Sequence, residues 1–155
     1  MKQTPIRAPI RALANLLEPV FRRPDFVQAA ALCLREGKQG PEVLLVQSLN
    51  SRRWILPKGW PMKRRTLAGA AAQEAWEEAG VVGKAHETSM GFYTYRKIRR
   101  GGLALSCRVE VFRIDVADLA RDYPERSRRK RKWMTPEAAA AAVEETELKA
   151  LLLSL

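Results

Sequence analysis

Cysteine and histidine are scarce in this sequence, and their scarcity excludes several classes of protein. The chain has two cysteines and one histidine among 155 residues. Cys33 and Cys107 each lie in a run typical of a β-strand, so we expect buried free thiols in a reducing compartment and no disulfide framework. His86 cannot complete a zinc site with these cysteines at any recognised spacing. A metal site in this chain must therefore be built from oxygen ligands.

The sequence also has no long apolar run and has few acidic residues relative to basic ones. No stretch approaches the roughly 20 apolar residues that a membrane-spanning helix needs, so we expect a soluble, cytoplasmic protein. The 28 lysines and arginines outnumber the 17 aspartates and glutamates, which gives a formal net charge of +11. Such an excess attracts polyanions. Nucleic acid, inositol polyphosphates, nucleoside polyphosphates and anionic membranes are the candidate partners.

The acidic residues that are present include three glutamates at helical spacing, Glu74, Glu77 and Glu78. Side chains three or four positions apart on a helix are neighbours, so these carboxylates repel one another unless a cation lies between them. A solvated helix face is the simpler alternative. The opposite face of the predicted helix is apolar and carries Ala68, Ala72, Ala75, Trp76 and Ala79.

The segment before the helix favours a metal site over a solvated face. Residues 54–61 read as the end of an apolar strand that is broken by proline and glycine, which marks a loop. We predict a helix from Thr66, its N-terminal cap, to Ala79, with Gly80 as a left-handed stop. This order of strand, loop, acidic helix and glycine brings backbone groups and Lys58 close to the carboxylates.

With these residues in place, the chain resembles the Nudix hydrolases, whose box reads G-x5-E-x7-R-E-U-x-E-E-x-G-U, where U is a bulky apolar residue. Aligning the first glycine on Gly59 places the last glycine on Gly80. Two positions depart from the box, because Arg65 replaces its first glutamate and Gln73 replaces its arginine. The resemblance implies an α/β (α+β) fold, the Nudix fold, with a mixed β-sheet sandwiched between helices. The box positions that agree are Glu74, Glu77, Glu78 and Val81, with the small Ala75 at an apolar position.

The resemblance extends beyond the box and is greatest to the diphosphoinositol polyphosphate and dinucleoside polyphosphate branch. Residues 26–48 are similar to the opening strands of that branch, and residues 123–133 to its basic stretch ending in tryptophan. We therefore predict a Nudix hydrolase domain over residues 24–155. Residues 1–23 form a separate basic N-terminal arm in this prediction.

The resemblance implies a set of site residues. The Gly59 carbonyl, Glu74, Glu77 and Glu78 would bind Mg2+ or Mn2+, and the three glutamates would also be the catalytic residues, without an assignment of the general base. Glu110 and Glu125 are weaker candidates for a further ligand or base. Four cations coincide with basic positions of the branch and are predicted to bind substrate phosphates: Arg53, Lys58, Arg129 and Arg131.

The predicted function is metal-dependent hydrolysis of a phosphoanhydride bond in a highly anionic substrate, a diphosphoinositol polyphosphate or a dinucleoside polyphosphate. One alternative is a nucleotide or RNA 5′-polyphosphate pyrophosphohydrolase with the same residues. Another is a weakly active Nudix domain that binds polyanions or RNA through the basic run at residues 126–132. Trp133 is the one aromatic residue beside that run, so nucleic acid is the weaker candidate partner. The oligomeric state is left open.

The remaining patterns predict an alternation of strands and helices. Strands are expected at residues 26–34, 43–47, 53–56, 84–98, 103–116 and 131–134. Thr135 and Pro136 have the pattern of a helix start. A short amphipathic helix is predicted over residues 145–155.

Overall fold

The computed structural model describes residues 26–155, and the predicted basic arm over residues 1–23 lies outside the described residues. The described part contains strands, helices and short loops. In chain order these elements are β1 (Phe26–Gly37), β2 (Gly40–Gln47), β3 (Trp54–Ile55), β4 (Lys58–Gly59), α1 (Leu67–Ala79), β5 (Val81–Val82), β6 (Gly91–Ile98), β7 (Ala104–Asp115), β8 (Asp118–Leu119), β9 (Arg131–Met134), α2 (Pro136–Ala142) and α3 (Thr146–Leu153).

A mixed sheet of seven strands forms the centre of the described part. Its main path follows the order β3-β2-β1-β7-β6, while β4 pairs with β1 and β9 pairs with β2. Strands β1 and β7 run parallel, and the other pairs in this sheet are antiparallel. Strands β5 and β8 form a separate antiparallel pair.

Both faces of the sheet are covered, which explains the unbroken apolar run in β1. Alternate side chains of a strand point to opposite faces. Ala29, Ala31 and Cys33 therefore pack in the cluster that includes helix α1. Leu32 and its alternate neighbours pack in the cluster that includes α2 and α3. The predicted α/β (α+β) architecture, with a mixed sheet sandwiched between helices, is confirmed.

The divergence of β1 from β2 creates the place where the box loop enters the sheet. Strand β1 pairs with β2 near its C-terminal end. Nearer its N-terminus, Ala29 and Ala30 pair instead with Gly59 and Lys58 of the short strand β4. The loop is thereby held directly beneath α1.

The prediction of one strand over residues 84–98 is wrong in its first half, because the observed strand β6 begins at Gly91. The Ser89 hydroxyl donates to the Gly91 carbonyl at 2.9 Å and accepts from the Gly91 N–H at 3.2 Å. Gly91 itself has φ of 144°, a conformation open to glycine. This local turn replaces the regular ladder before β6. The strands at residues 103–116 and 131–134 and the C-terminal helix are confirmed, whereas the two-residue strands β4, β5 and β8 were not predicted.

Cys33 and Cys107 are buried and free, as predicted. Over residues 26–155, no helix is both long enough and apolar enough to cross a bilayer.

Candidate active site

Helix α1 presents its three glutamates in a well-defined register. At its start, the Thr66 hydroxyl accepts a hydrogen bond from the Gly69 N–H at 3.0 Å. At its end, Gly80 adopts a left-handed φ of 67° and donates its N–H to carbonyls of the last turn. The predicted cap and stop are confirmed. The helix face toward the sheet is buried through small side chains, Ala68, Ala71, Ala75 and Ala79.

Glu74 lies against the backbone of Gly59. A Cβ atom added at Gly59 would overlap the Glu74 carboxylate, so the absence of a side chain at this position makes room for that carboxylate. The pairing of β4 with β1 supports the backbone of Gly59 from the other side. The structure thus brings together the first glycine and the first matching glutamate of the box.

Glu78 is the most enclosed of the three carboxylates, with 6% of its surface exposed. The Lys58 backbone N–H donates to Glu78 Oε2 at 3.3 Å. The Arg129 guanidinium lies 3.6 Å from the same oxygen. Glu78 therefore links α1, the box loop and the basic stretch near the C-terminus.

Burial and mutual repulsion raise the pKa values of two of these carboxylates. Desolvation raises the pKa of Glu78 to about 8, with Glu74 and Glu125 adding repulsion and Arg129 opposing the rise. Desolvation, together with repulsion from Glu77 and Glu125, raises the pKa of Glu74 to about 7. Both groups therefore carry an energetic cost when ionised in the absence of a cation.

Glu77 makes contact with one of the two residues that depart from the box. Gln73 Nε2 donates to Glu77 Oε1 at 3.0 Å along the same helix. The glutamine thus still supports a box carboxylate, although without a charge. Arg65 lies exposed beside the first turn of α1, where its side chain borders Gly69. Arg65 also lines a shallow surface depression together with Ala72, Gln73, Trp76 and the residues of and around β5.

All four predicted substrate cations contact protein groups, and for Arg53 and Arg131 these groups lie outside the three-glutamate face. Arg53 forms ion pairs with Glu145 at 2.7 Å and Glu144 at 3.3 Å, near the start of α3. Arg131 donates to the carbonyls of Ala79 at 2.6 Å and Ala120 at 3.0 Å. Arg53 thus ties the box loop to α3, and Arg131 stabilises the C-terminal end of α1. A role in substrate binding stays a prediction for both.

Lys58 projects into a polar cluster on the opposite face of the sheet from Gly59. Its ammonium donates to the Tyr95 hydroxyl at 3.3 Å, and that hydroxyl donates to Gln28 at 2.7 Å. Burial lowers the pKa of Lys58, although nearby Glu78 opposes the change. Lys58 is thus positioned by side chains of β1 and β6 beside the carboxylate site.

The environment of Arg129 could not be anticipated from sequence. Arg129 is 8% exposed, and its guanidinium contacts Glu125 at 3.2 Å in addition to Glu78. It also donates to the Gln47 carbonyl at 3.2 Å. Glu125 is therefore connected to the carboxylate site through Arg129. The four-residue spacing between Glu125 and Arg129 was the one sequence signal for this ion pair. Glu110 contacts Ser89 and Arg108 instead.

The donor set fits a hard divalent cation. Across residues 26–155, no three histidine, cysteine or acidic side chains converge as an assembled metal centre, because Glu77 turns to Gln73 and Glu78 to Arg129. The carboxylates and the Gly59 backbone are nevertheless oxygen donors of the type that Mg2+ and Mn2+ prefer. A cation would also offset the repulsion that raises the pKa values of Glu74 and Glu78.

Comparison with known proteins agrees with this geometry. Mitochondrial Nudix hydrolase 12 of Arabidopsis thaliana is 35% identical over 105 residues, which cover 63% of this chain and 50% of that protein. Diphosphoinositol polyphosphate phosphohydrolase 3-alpha of Mus musculus is 32% identical over 114 residues, which cover 72% of this chain and 65% of that protein. The chain thus spans between half and two thirds of the length of these relatives.

Solved structures and a family model agree with the same assignment. The C. elegans Ap4A hydrolase has a TM-score of 0.59 at 22% identity, over 82% of this chain and 92% of that one. A Nudix hydrolase from Nitrosomonas europaea has a TM-score of 0.64 at 17% identity, over 84% and 87%. These likenesses show the fold. The family model described as the NUDIX domain matches residues 25–153, so the predicted resemblance is confirmed and the chain belongs to the Nudix family.

Proposed function

We propose that this chain is a metal-dependent pyrophosphohydrolase that cleaves a phosphoanhydride bond in a highly anionic substrate. The observation that carries the proposal is the contact between the Gly59 backbone and the Glu74 carboxylate, on a helix that also presents Glu77 and Glu78. The two substrate classes proposed are diphosphoinositol polyphosphates and dinucleoside polyphosphates. Support comes from a curated relative named as a diphosphoinositol polyphosphate phosphohydrolase. A cytoplasmic location stays a prediction.

The chemistry follows from where charge develops during hydrolysis. When bound by Gly59, Glu74, Glu77 and Glu78, Mg2+ or Mn2+ would offset charge on phosphoryl oxygens and make a water molecule more acidic. Lys58, held by Tyr95, supplies a further positive charge on the neighbouring side. Arg129 orients Glu78 and Glu125. The protein thus provides positioning and electrostatic stabilisation, which dominate phosphoryl transfer.

The test is a hydrolysis screen of diadenosine tetraphosphate and a diphosphoinositol polyphosphate, with Mg2+, with Mn2+ and with chelator. We expect turnover that requires metal and that falls by about 100-fold or more in Glu78→Gln. Glu137→Gln is the matched control, because it removes the same charge from an exposed carboxylate on α2. Unchanged turnover in Glu78→Gln would refute the site assignment.

One observation favours a second candidate, a domain that binds polyanions with little catalysis. Arg65 and Gln73 replace the charged pair of the box, and Glu77 and Glu78 are engaged by protein donors. The exposed cations Arg126, Lys130 and Lys132 would then bind phosphates without sequence preference. Salt-sensitive RNA binding without turnover of any substrate in the screen would support this candidate over hydrolysis.

A further inference from the structure

An aromatic and cationic cluster adjoins the box loop at the residue after Gly59. Trp60 and Phe26 pack edge to face, with ring centroids 5.6 Å apart and an interplanar angle of 77°. The Lys97 ammonium lies 4.8 Å from the Trp60 ring centroid, and the Arg99 guanidinium lies 5.3 Å from that of Phe26. We call these four residues the aromatic shelf. Phe26 lies in β1, Trp60 directly follows β4, and Lys97 and Arg99 lie at and just after the end of β6, so the tertiary fold assembles them.

The aromatic shelf is connected to the box loop through Trp60 and shares a sheet face with the Lys58 side chain. Trp60 directly follows Gly59, whose backbone touches Glu74. Lys97 is two residues from Tyr95 on β6 and therefore shares its face of the sheet, the face on which Tyr95 holds Lys58. Trp60 is also 39% exposed. A ligand on the shelf can thus extend phosphates along this face toward Lys58, whose backbone N–H donates to Glu78 on the α1 side.

The chemistry of the shelf matches a nucleobase that carries phosphates. Aromatic side chains stack on bases of any sequence, since every base has a flat π-face. An inositol ring has no such face. The Lys97 ammonium sits on a flexible stem, so it can turn from the Trp60 ring toward a phosphate and leave the ring to the base.

We propose that the aromatic shelf binds the nucleobase of a nucleoside polyphosphate, which makes dinucleoside polyphosphates the preferred substrate class. The substrate preference rests on the proposed function, because it concerns turnover. Binding of the nucleobase to the shelf requires neither metal nor hydrolysis. Arg99 and Lys97 supply the charge complementarity, and Trp60 supplies the stacking surface.

The experiment is calorimetric titration of the full chain in chelator, with diadenosine tetraphosphate and inositol hexakisphosphate as probes. We expect Trp60→Leu to weaken binding of the adenine probe by about tenfold and to leave inositol hexakisphosphate binding unchanged. Trp60→Phe, which keeps an aromatic ring, restores most of the affinity. An unchanged adenine affinity in Trp60→Leu, or an equal loss for both probes, would overturn the proposal.

Phe92→Leu is the matched control. Phe92 is also an exposed aromatic residue, with the Arg108 guanidinium 3.7 Å from its ring centroid. Its position in β6 differs from that of Lys97 by an odd number of residues, so it faces the other side of the sheet. We expect Phe92→Leu to leave the affinity for both probes unchanged. A matching loss of adenine affinity in this variant would contradict a specific role for the shelf.

Failure of the shelf and failure of the proposed function have different signatures. If Trp60→Leu binds both probes normally while Glu78→Gln loses turnover, the shelf proposal is refuted and the catalytic site stands. If Trp60→Leu loses adenine affinity while Glu78→Gln retains turnover, the shelf is supported and the catalytic assignment is refuted. A purely structural role for Trp60 would lower the melting temperature and weaken both probes alike, which also refutes the shelf.

Discussion

Glu78 lies between the Lys58 backbone N–H and the Arg129 guanidinium, almost entirely away from solvent. Its position suits a group that is ionised when a cation is present. Without a cation, the ionised form is disfavoured, because burial outweighs the attraction of Arg129 and raises the pKa to about 8. Function and the stability of the metal-free protein therefore make opposite demands on this residue.

The stability of the metal-free protein should fall as pH rises. An acid with a folded-state pKa above its unfolded value stabilises the folded state at low pH, and this contribution is lost as pH rises toward the folded pKa. For Glu78 the interval runs from the ordinary glutamate pKa of 4.5 to the folded-state pKa of about 8. Glu78→Gln should therefore reduce the fall in melting temperature across this interval in chelator. Glu137→Gln should keep the wild-type dependence, and a wild-type slope in Glu78→Gln would contradict the burial argument.

Gly59→Ala tests whether the contact with Glu74 matters. The added methyl group overlaps the Glu74 carboxylate, and the side chain must move to relieve the overlap. We expect turnover to fall at least about tenfold, because a ligand moved by about 1 Å no longer matches the reacting geometry. The measurement is kcat at saturating Mg2+. Gly101→Ala is a comparison variant with open space around the added carbon, and we expect it to keep turnover near wild type although its positive φ lowers stability.

At the scale of the element, α1 depends on contacts at both of its ends. Thr66 caps the first turn, while Gly80 and Arg131 serve the last turn. Arg131 also lies over the ring of Tyr123 at 4.6 Å. A cation at a helix C-terminus interacts favourably with the carbonyl dipoles there. These contacts join the carboxylate helix to the loop that precedes β9.

Arg131→Met should destabilise the protein by about 2 kcal/mol, because two carbonyls lose a charged hydrogen-bond donor. Urea denaturation gives the change in the free energy of unfolding. Arg128→Met is the control, since its ion pair with Glu125 is exposed and should contribute about 0.5 kcal/mol or less. The same variant, assayed below its melting temperature, tests the predicted substrate role of Arg131, because loss of a phosphate contact would raise KM and loss of the two carbonyl contacts alone would not.

At the scale of the whole molecule, the formal net charge of +11 acts on substrate encounter. Long-range attraction of a polyanion weakens as salt shortens the Debye length. We expect kcat/KM for a polyanionic substrate to fall several-fold as KCl is raised from about 0.05 M to about 0.5 M. A triple variant with glutamine at the exposed Arg126, Lys130 and Lys132 should show a smaller salt dependence. An identical dependence in that variant would exclude the basic run as the source of the attraction.

Local sequence was sufficient for the elements whose determinants are close together in the chain. Thr66 and Gly80 mark the ends of α1 through hydrogen bonds with residues a few positions away, so their pattern could be interpreted directly. The first half of the predicted strand at residues 84–98 could not, because the Ser89 turn at Gly91 competes with the ladder. The short strand β4 was also missed, since a two-residue strand exists only through its pairing with β1.

By itself, the sequence determined the Nudix box, the register of its carboxylates and the excess of positive charge, while the layers of the fold were implied by the resemblance to the family. The physical reason is that helical spacing, capping and strand alternation are short-range properties. The tertiary structure decided which distant groups surround the carboxylates. It placed Arg129 against Glu78, and Trp60 beside Phe26 and Lys97. Those contacts depend on how separate strands pair and diverge, which no local pattern specifies.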